Sequence, residues 1–289
     1  MATDLARAGA RVSRTVPLLG KVPMPLGFRA LSGPPKLLPL MGPQWWVLRA
    51  ARWRREPLLL YCWDVWPRDL EQWADMLAAP EVVGALVSST DGCRALQSVS
   101  SVAVRPLPEG MGSTRTPTGP VAPLTARAVD VLELGRLHPL WHRSVVGDLE
   151  SDGAQHLYEA RPGEIIFPTR TAMEAGLSEA KISVCFMRSE THPESAGAVR
   201  AMTLRYLESA AFGCLMLGSN PPDLVELFGY EPVVPVDWDE PAGQVRSILA
   251  DLDPWQDLVD RNRARFAEVG SWLSRVPALE AAARSVLAG

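Results

Sequence analysis

From residue 129 to residue 237 short apolar runs alternate with amphipathic stretches, and this alternation narrows the possible folds more than any other feature. The runs VDVLEL, EIIFP, KISVCFM, CLMLG and EPVVPVD read as buried strands, too uniformly apolar for a sheet with one wet face. Between them HPLWHRSVVGDL, RTAMEAGLSEA, TLRYLESAAFG and PDLVELFG read as helices, and Gly213 stands where the third should close. Strand and helix in regular exchange give an α/β fold, a parallel sheet with helices on both faces. Ligands of such sheets sit beyond the carboxyl ends of the strands, so the loops after the apolar runs are where polar side chains are expected to act.

The first half repeats the grammar less clearly. Ala6 to Val12 reads as a helix running into a strand, and the Pro- and Gly-rich stretch from Val16 to Pro43 as loops and short pieces, since proline at this density opposes long helices and central strands. LLLYCWDVW is a buried-strand candidate ending near Asp64 and Pro67, and RDLEQWADMLAA a helix with Leu70, Trp73, Met76 and Leu77 on one face. VVGALVSST, DGCRALQSV and VAVRPL follow as strand, a helix opened by Asp91, and strand. Residues 112–127 lack hydrophobic periodicity and read as an interdomain linker. The expected organisation is two Rossmann-like domains facing a cleft, an N-terminal domain over 1–118 and a C-terminal one over 119–289, with the last helix crossing back.

Composition excludes several classes. A net charge of −4 gives no general electrostatic grip on nucleic acid, so no nucleic-acid partner is expected. The charge is uneven: residues 1–60 hold ten basic and two acidic side chains. This basic, partly apolar segment suits a peripheral contact with a membrane surface. Cys62, Cys93, Cys185 and Cys214 are widely spaced, with no C-x-x-C pair and no clustered histidines, which reads as buried reduced thiols with neither a disulfide framework nor a metal site. With no signal-peptide pattern and no run of 18 apolar residues, the expected location is the cytoplasm.

TLRYLESAAFGCLMLGSNPPDLVELFG resembles the donor-binding region of GT-B glycosyltransferases of the retaining, family-4-like kind: a Glu in a helix ended by Gly, then a strand, a loop and a helix. Glu208, Gly213 and Asp223 to Phe228 fall in that order. VDVLELGRLHP is similar to the first strand and G-R loop of the same domain, LVSSTDGCRAL and RPLPEGM to the last elements of the preceding one, and RNRARFAEVGSWLSRV to the closing helix. The resemblance implies that residues 129–262 bind a nucleotide sugar. It implies transfer of the sugar to an acceptor, a small molecule or glycan held by the N-terminal half, with retention of configuration and without metal or other cofactor. The alternative is a non-catalytic GT-B-like auxiliary or binding protein.

By the same resemblance Glu208 holds the nucleotide ribose and Arg136 the diphosphate. A carboxylate suits a diol, and a guanidinium fork suits phosphate oxygens whose charge grows as the nucleotide departs. His142 and Arg143 are assisting candidates. Arg188, Ser189, His192, Thr203 and Arg205 are donor-binding candidates from the loop before the Glu208 helix and its first turn. Asp64, at a strand end, is the acceptor-side catalytic candidate, a plain structural carboxylate being its alternative. Two departures stand out. Arg200 occupies the position eight residues before Glu208 where the family has a donor-sugar Glu, and the N-terminal half is short. Asp237-Trp238-Asp239 has the spacing of a metal-binding D-x-D but follows the last strand. Six tryptophans between Trp45 and Trp73 are expected mainly in the core or a domain interface.

Overall fold

The computed structural model describes residues 35–288 apart from Arg55, Thr118 and Pro162. The helix expected over Ala6 to Val12 and most of the Pro- and Gly-rich stretch lie outside the described residues. The chain divides into two compact units. One consists of Gly110–Thr191 and Met202–Ser274; the other takes the described part of Ala2–Glu109 together with His192–Ala201 and Arg275–Gly289.

The N-terminal unit is built on four parallel strands in the order β1-β2-β3-β4: β1 (Lys36–Met41), β2 (Leu58–Trp63), β3 (Val82–Val87) and β4 (Val104–Pro106). Helices α1 (Trp45–Arg54), α2 (Leu70–Leu77) and α3 (Thr90–Gln97) connect them. Leu58, Leu60 and Cys62 of β2 join Trp73, Met76 and Leu77 of α2 in one buried cluster, so the apolar face of that helix is satisfied by the sheet. Chain from the far C-terminus completes this unit, with Val286 against Gly84 of β3 and Arg105 Nε donating to Ser285 Oγ at 3.2 Å.

The C-terminal unit carries five parallel strands in the order β6-β5-β7-β8-β9: β5 (Val129–Leu132), β6 (His156–Leu157), β7 (Ala180–Cys185), β8 (Leu215–Gly218) and β9 (Val234–Pro235). Its helices are α4 (Pro139–Ser151), α5 (Arg170–Glu179), α8 (Leu204–Ala211), α9 (Pro222–Phe228), α10 (Pro241–Ala250) and α11 (Asp253–Val269), with single turns α6 (Arg188–Thr191) in this unit and α7 (Pro193–Ala196) in the other. Strand alternation assigns the two cores. Val131, Ile182, Val184, Leu215 and Leu217 pack with α4, α10 and Val259 of α11, whereas Leu132, Cys185 and Met216 pack with α8, α9 and Phe266. Gly213, at φ +68°, closes α8 in the left-handed region that a side chain resists.

One of the short pieces of the Pro-rich stretch is strand β1, at the edge of the sheet among the described residues, where Pro39 is accommodated. Several expectations are corrected. EIIFP forms no strand: Ile165 is 72% exposed, and the edge position goes instead to His156–Leu157. Helix α3 is opened by Ser89, whose Oγ accepts from Gly92 N at 3.1 Å, rather than by Asp91. The closing segment forms two helices, α11 and α12 (Trp272–Leu287), separated at Gly270 and Ser271. Trp66 and Trp73 are buried, but Trp45 and Trp46 are exposed on α1 rather than in a core. All four cysteines are buried free thiols, and burial pushes the Cys214 thiol up to about 12.

Candidate functional site

The strand order of the C-terminal unit fixes one special place. The chain runs from β5 to β6 on one side and then crosses back past β5 to β7 on the other, so the strand order reverses between β5 and β7, where sheets of this kind open a crevice beyond the carboxyl ends. Two loops border it. After β5 the chain turns through Gly135, at φ +89°, presents exposed Arg136 and enters α4. After β7 it continues through Phe186 and Met187 into the Arg188–Thr191 turn, where Arg188 and Ser189 are half-buried. That turn is pinned by Glu190, whose Oε2 accepts from Met187 N at 2.9 Å and from Ser219 Oγ, beyond β8, at 2.5 Å.

The amino end of α8 completes the arrangement. Thr203 is its N-cap residue and makes no side-chain cap hydrogen bond. Glu208 follows on the helix at only 3% exposure. A buried carboxylate needs compensating charge. Here Arg205 Nη1 lies 2.7 Å from its Oε2, while Arg115 from the preceding segment pairs with Oε1. Arg115 was not among the sequence candidates, since nothing in a Ser/Thr/Pro-rich stretch marks one arginine as the partner of a glutamate 93 residues away. Tyr206 anchors the helix from beneath, donating to Cys185 O at 3.2 Å.

An aromatic group borders the same crevice. The rings of His138, Phe186 and Trp238 lie 4.4 Å and 5.2 Å apart, His138 to Phe186 and His138 to Trp238. Trp238 belongs to the D-x-D, which serves as a turn: Asp237 Oδ1 accepts from Asp239 N at 3.0 Å and Glu240 N at 3.4 Å. His142 and Arg143 lie on α4; His142 is drawn away from Arg136's loop into a contact with Glu133.

The remaining candidates belong to the N-terminal unit. Asp64, just after β2, has φ +54° and is the one non-glycine residue with positive φ among those described, the kind of backbone strain that accumulates at functional loops. His192 precedes the Pro193–Ala196 turn, and its carbonyl accepts from Ser195 and Ala196. Arg200 is exposed and bound to Asp91 Oδ2 through both its backbone N, at 3.1 Å, and its Nε, at 3.0 Å. Burial raises the Asp91 carboxyl, but Arg200's hydrogen bonds and charge, with Arg94's charge, outweigh this and hold it below the ordinary carboxylate value.

No protein-family model and no curated relative matches the sequence. Solved structures do match. Sucrose-phosphate synthase from Thermosynechococcus elongatus shares 15% identity over 87% of this chain and 74% of that one, with TM-score 0.56. HepE of Anabaena, solved in complex with UDP and glucose, shares 10% identity over 83% of this chain and 75% of that one, at TM-score 0.58. TarM of S. aureus, solved in a complex containing UDP, shares 10% over 80% of this chain and 51% of that one, at 0.51. These neighbours are GT-B glycosyltransferases, and the chain has the GT-B fold. No described helix is long and apolar enough to cross a membrane.

The His138 ring supplies a test of the local geometry. Its Nδ1 accepts from Trp141 N at 3.3 Å, which requires the neutral ring, and burial pushes its pKa below the usual 6.5, against the opposing charge of Glu190. Below pH 6.5 the unfolded chain takes up a proton that the folded ring resists, so this group makes stability fall as the pH is lowered. Replacement by Asn keeps a cap acceptor and removes the titration. His138→Asn should therefore flatten the slope of melting temperature against pH between about 5 and 7. A slope equal to the wild type's would show that this ring titrates normally.

Proposed function

We propose that this protein is a glycosyltransferase that moves a sugar from a nucleotide diphosphate sugar to an acceptor, with retention of configuration and without a metal at the diphosphate. The observation that carries the reading is Glu208, a buried carboxylate on the first turns of a helix whose amino end meets the switch-point crevice of a GT-B C-terminal sheet. The structures of HepE with UDP and glucose and of TarM with UDP support a nucleotide donor in this fold.

In this reading Glu208 accepts from the ribose diol. Both its oxygens are held by arginines, so the diol displaces Arg115 from Oε1, which leaves that guanidinium beside the diphosphate. Arg136, with the uncapped N–H groups of α8, stabilises the charge that grows on the diphosphate as the bond to the sugar breaks. Arg188, Ser189, Thr203 and Arg205 line the donor, and the face of Trp238 is available to the base. The acceptor hydroxyl attacks from the side on which the nucleotide leaves, so no enzyme nucleophile is needed. Residues 1–118 supply the acceptor side with Asp64, and 119–289 the donor side, where His192 is a further donor-binding residue, in a cytoplasmic protein whose basic residues 1–60 contact a membrane surface.

Removing Glu208 outright strands two guanidiniums in a half-buried site and costs fold stability, about 3–5 kcal/mol for a broken buried pair. Glu208→Gln is the cleaner change. It should weaken binding of a nucleotide sugar by about 1.5–3 kcal/mol in a calorimetric titration, the range for hydrogen bonds to a charged group. Affinity equal to the wild type's would remove Glu208 from the donor site.

Arg136→Ala should act differently, lowering kcat in a transfer or donor-hydrolysis assay more than it lowers donor affinity, because the charge it meets grows only as the bond breaks. A rise in KM at constant kcat would make Arg136 a ground-state contact. Donor binding by the wild type with no transfer to any acceptor and no hydrolysis would make the chain a binding auxiliary.

A further inference from the structure

Glu133, at the end of β5, is 2% exposed and accepts from two imidazoles on one oxygen: His142 Nδ1 of α4 at 2.6 Å and His156 Nε2 of β6 at 2.9 Å. Its other oxygen, Oε2, is buried and has no hydrogen-bond partner among the described residues, and no described lysine or arginine pairs with this carboxylate. A carboxylate buried this deeply needs compensating charge. The Glu133 and His156 side chains are almost wholly enclosed, whereas the His142 ring is partly open. Tyr158 covers the cluster, its ring 4.6 Å from His142 and 4.7 Å from His156.

We propose that Glu133, His142 and His156 bind one zinc ion, which ties together the strand end and the helix on either side of the loop that carries Arg136. The donor set, two histidines and one carboxylate, is a zinc set that leaves a fourth position for water. The three donor atoms lie within 4.8 Å of one another. Tetrahedral bonds of about 2.1 Å hold donors roughly 3.4 Å apart, so the two hydrogen-bonded gaps widen by about 0.8 and 0.5 Å, while the two imidazole nitrogens, within 4.8 Å of each other, settle to the same spacing. Each ring binds as neutral imidazole, His142 keeping its proton on Nε2 and His156 on Nδ1. The doubly charged ion offsets the buried carboxylate. Zinc also crosslinks three consecutive elements, and an ion that binds the folded state alone stabilises it. The site is independent of the reading of Glu208 as a donor residue.

The 289-residue chain, stripped with chelator and titrated with zinc chloride, tests this. The expected result is one zinc per chain and a higher melting temperature with zinc. Glu133→Gln and His142→Gln should each weaken binding by more than the roughly 100-fold that loss of an outer-shell partner costs, and abolish the thermal shift. The partly open His142 can be replaced with little disturbance of the core, so this variant decides the matter if Glu133→Gln does not fold. Zinc uptake far below one per chain, or uptake and thermal shift unchanged in His142→Gln, would overturn the proposal.

Discussion

Strand β7 is buried on both faces, and that constraint organises the C-terminal unit. Ile182 and Val184 belong to one core and Cys185 to the other, with helices over both. Its polar side chains are satisfied within the protein as well, Ser183 by Ser209 Oγ at 2.7 Å and Lys181 by Asp130 Oδ1. A strand with no wet face offers no room for chemistry along its length, so the polar groups that meet a ligand must stand at its carboxyl end. The crevice beyond β5 and β7 therefore follows from the same hydrophobic alternation that makes the sheet.

The segment before β5 connects this site to its foundation. Arg127 is buried and donates to Ala122 O, Ala180 O and Phe212 O over 2.7 to 3.1 Å, joining the segment to the start of β7 and the end of α8. Arg115, from the same segment, neutralises Glu208. A stretch without hydrophobic periodicity thus contributes two guanidiniums to the C-terminal unit, one beneath the sheet and one beside Glu208. Charged groups in such places are held by hydrogen bonds and counter-charge rather than by packing, and substitutions there are costly in proportion.

How much of this was legible in sequence follows from locality. β2, β3, β5, β7 and β8 were readable because uniform apolar runs encode two-sided burial within a few residues, and Gly213 marked the end of α8 for the same local reason. EIIFP misled because a short apolar run in an irregular segment, with Ile165 exposed, looks in sequence like one buried in a sheet. β1 was hidden by Pro39, which an edge strand permits. What was legible of the candidate site was placement after a strand, as for Arg136 after β5 and Arg188 after β7. Arg115 with Glu208, Asp91 with Arg200, and Glu133 with two histidines were not, since each joins residues that only the tertiary fold brings together.

We propose that the switch-point crevice of the C-terminal sheet is a nucleotide-diphosphate site organised by Glu208. A crystal structure of the chain with UDP tests it most directly. The expected result is a ribose within hydrogen-bond distance of Glu208 and a diphosphate at the amino end of α8 beside Arg136. Nucleotide bound elsewhere, with Glu208 still held by Arg115 and Arg205, would contradict it.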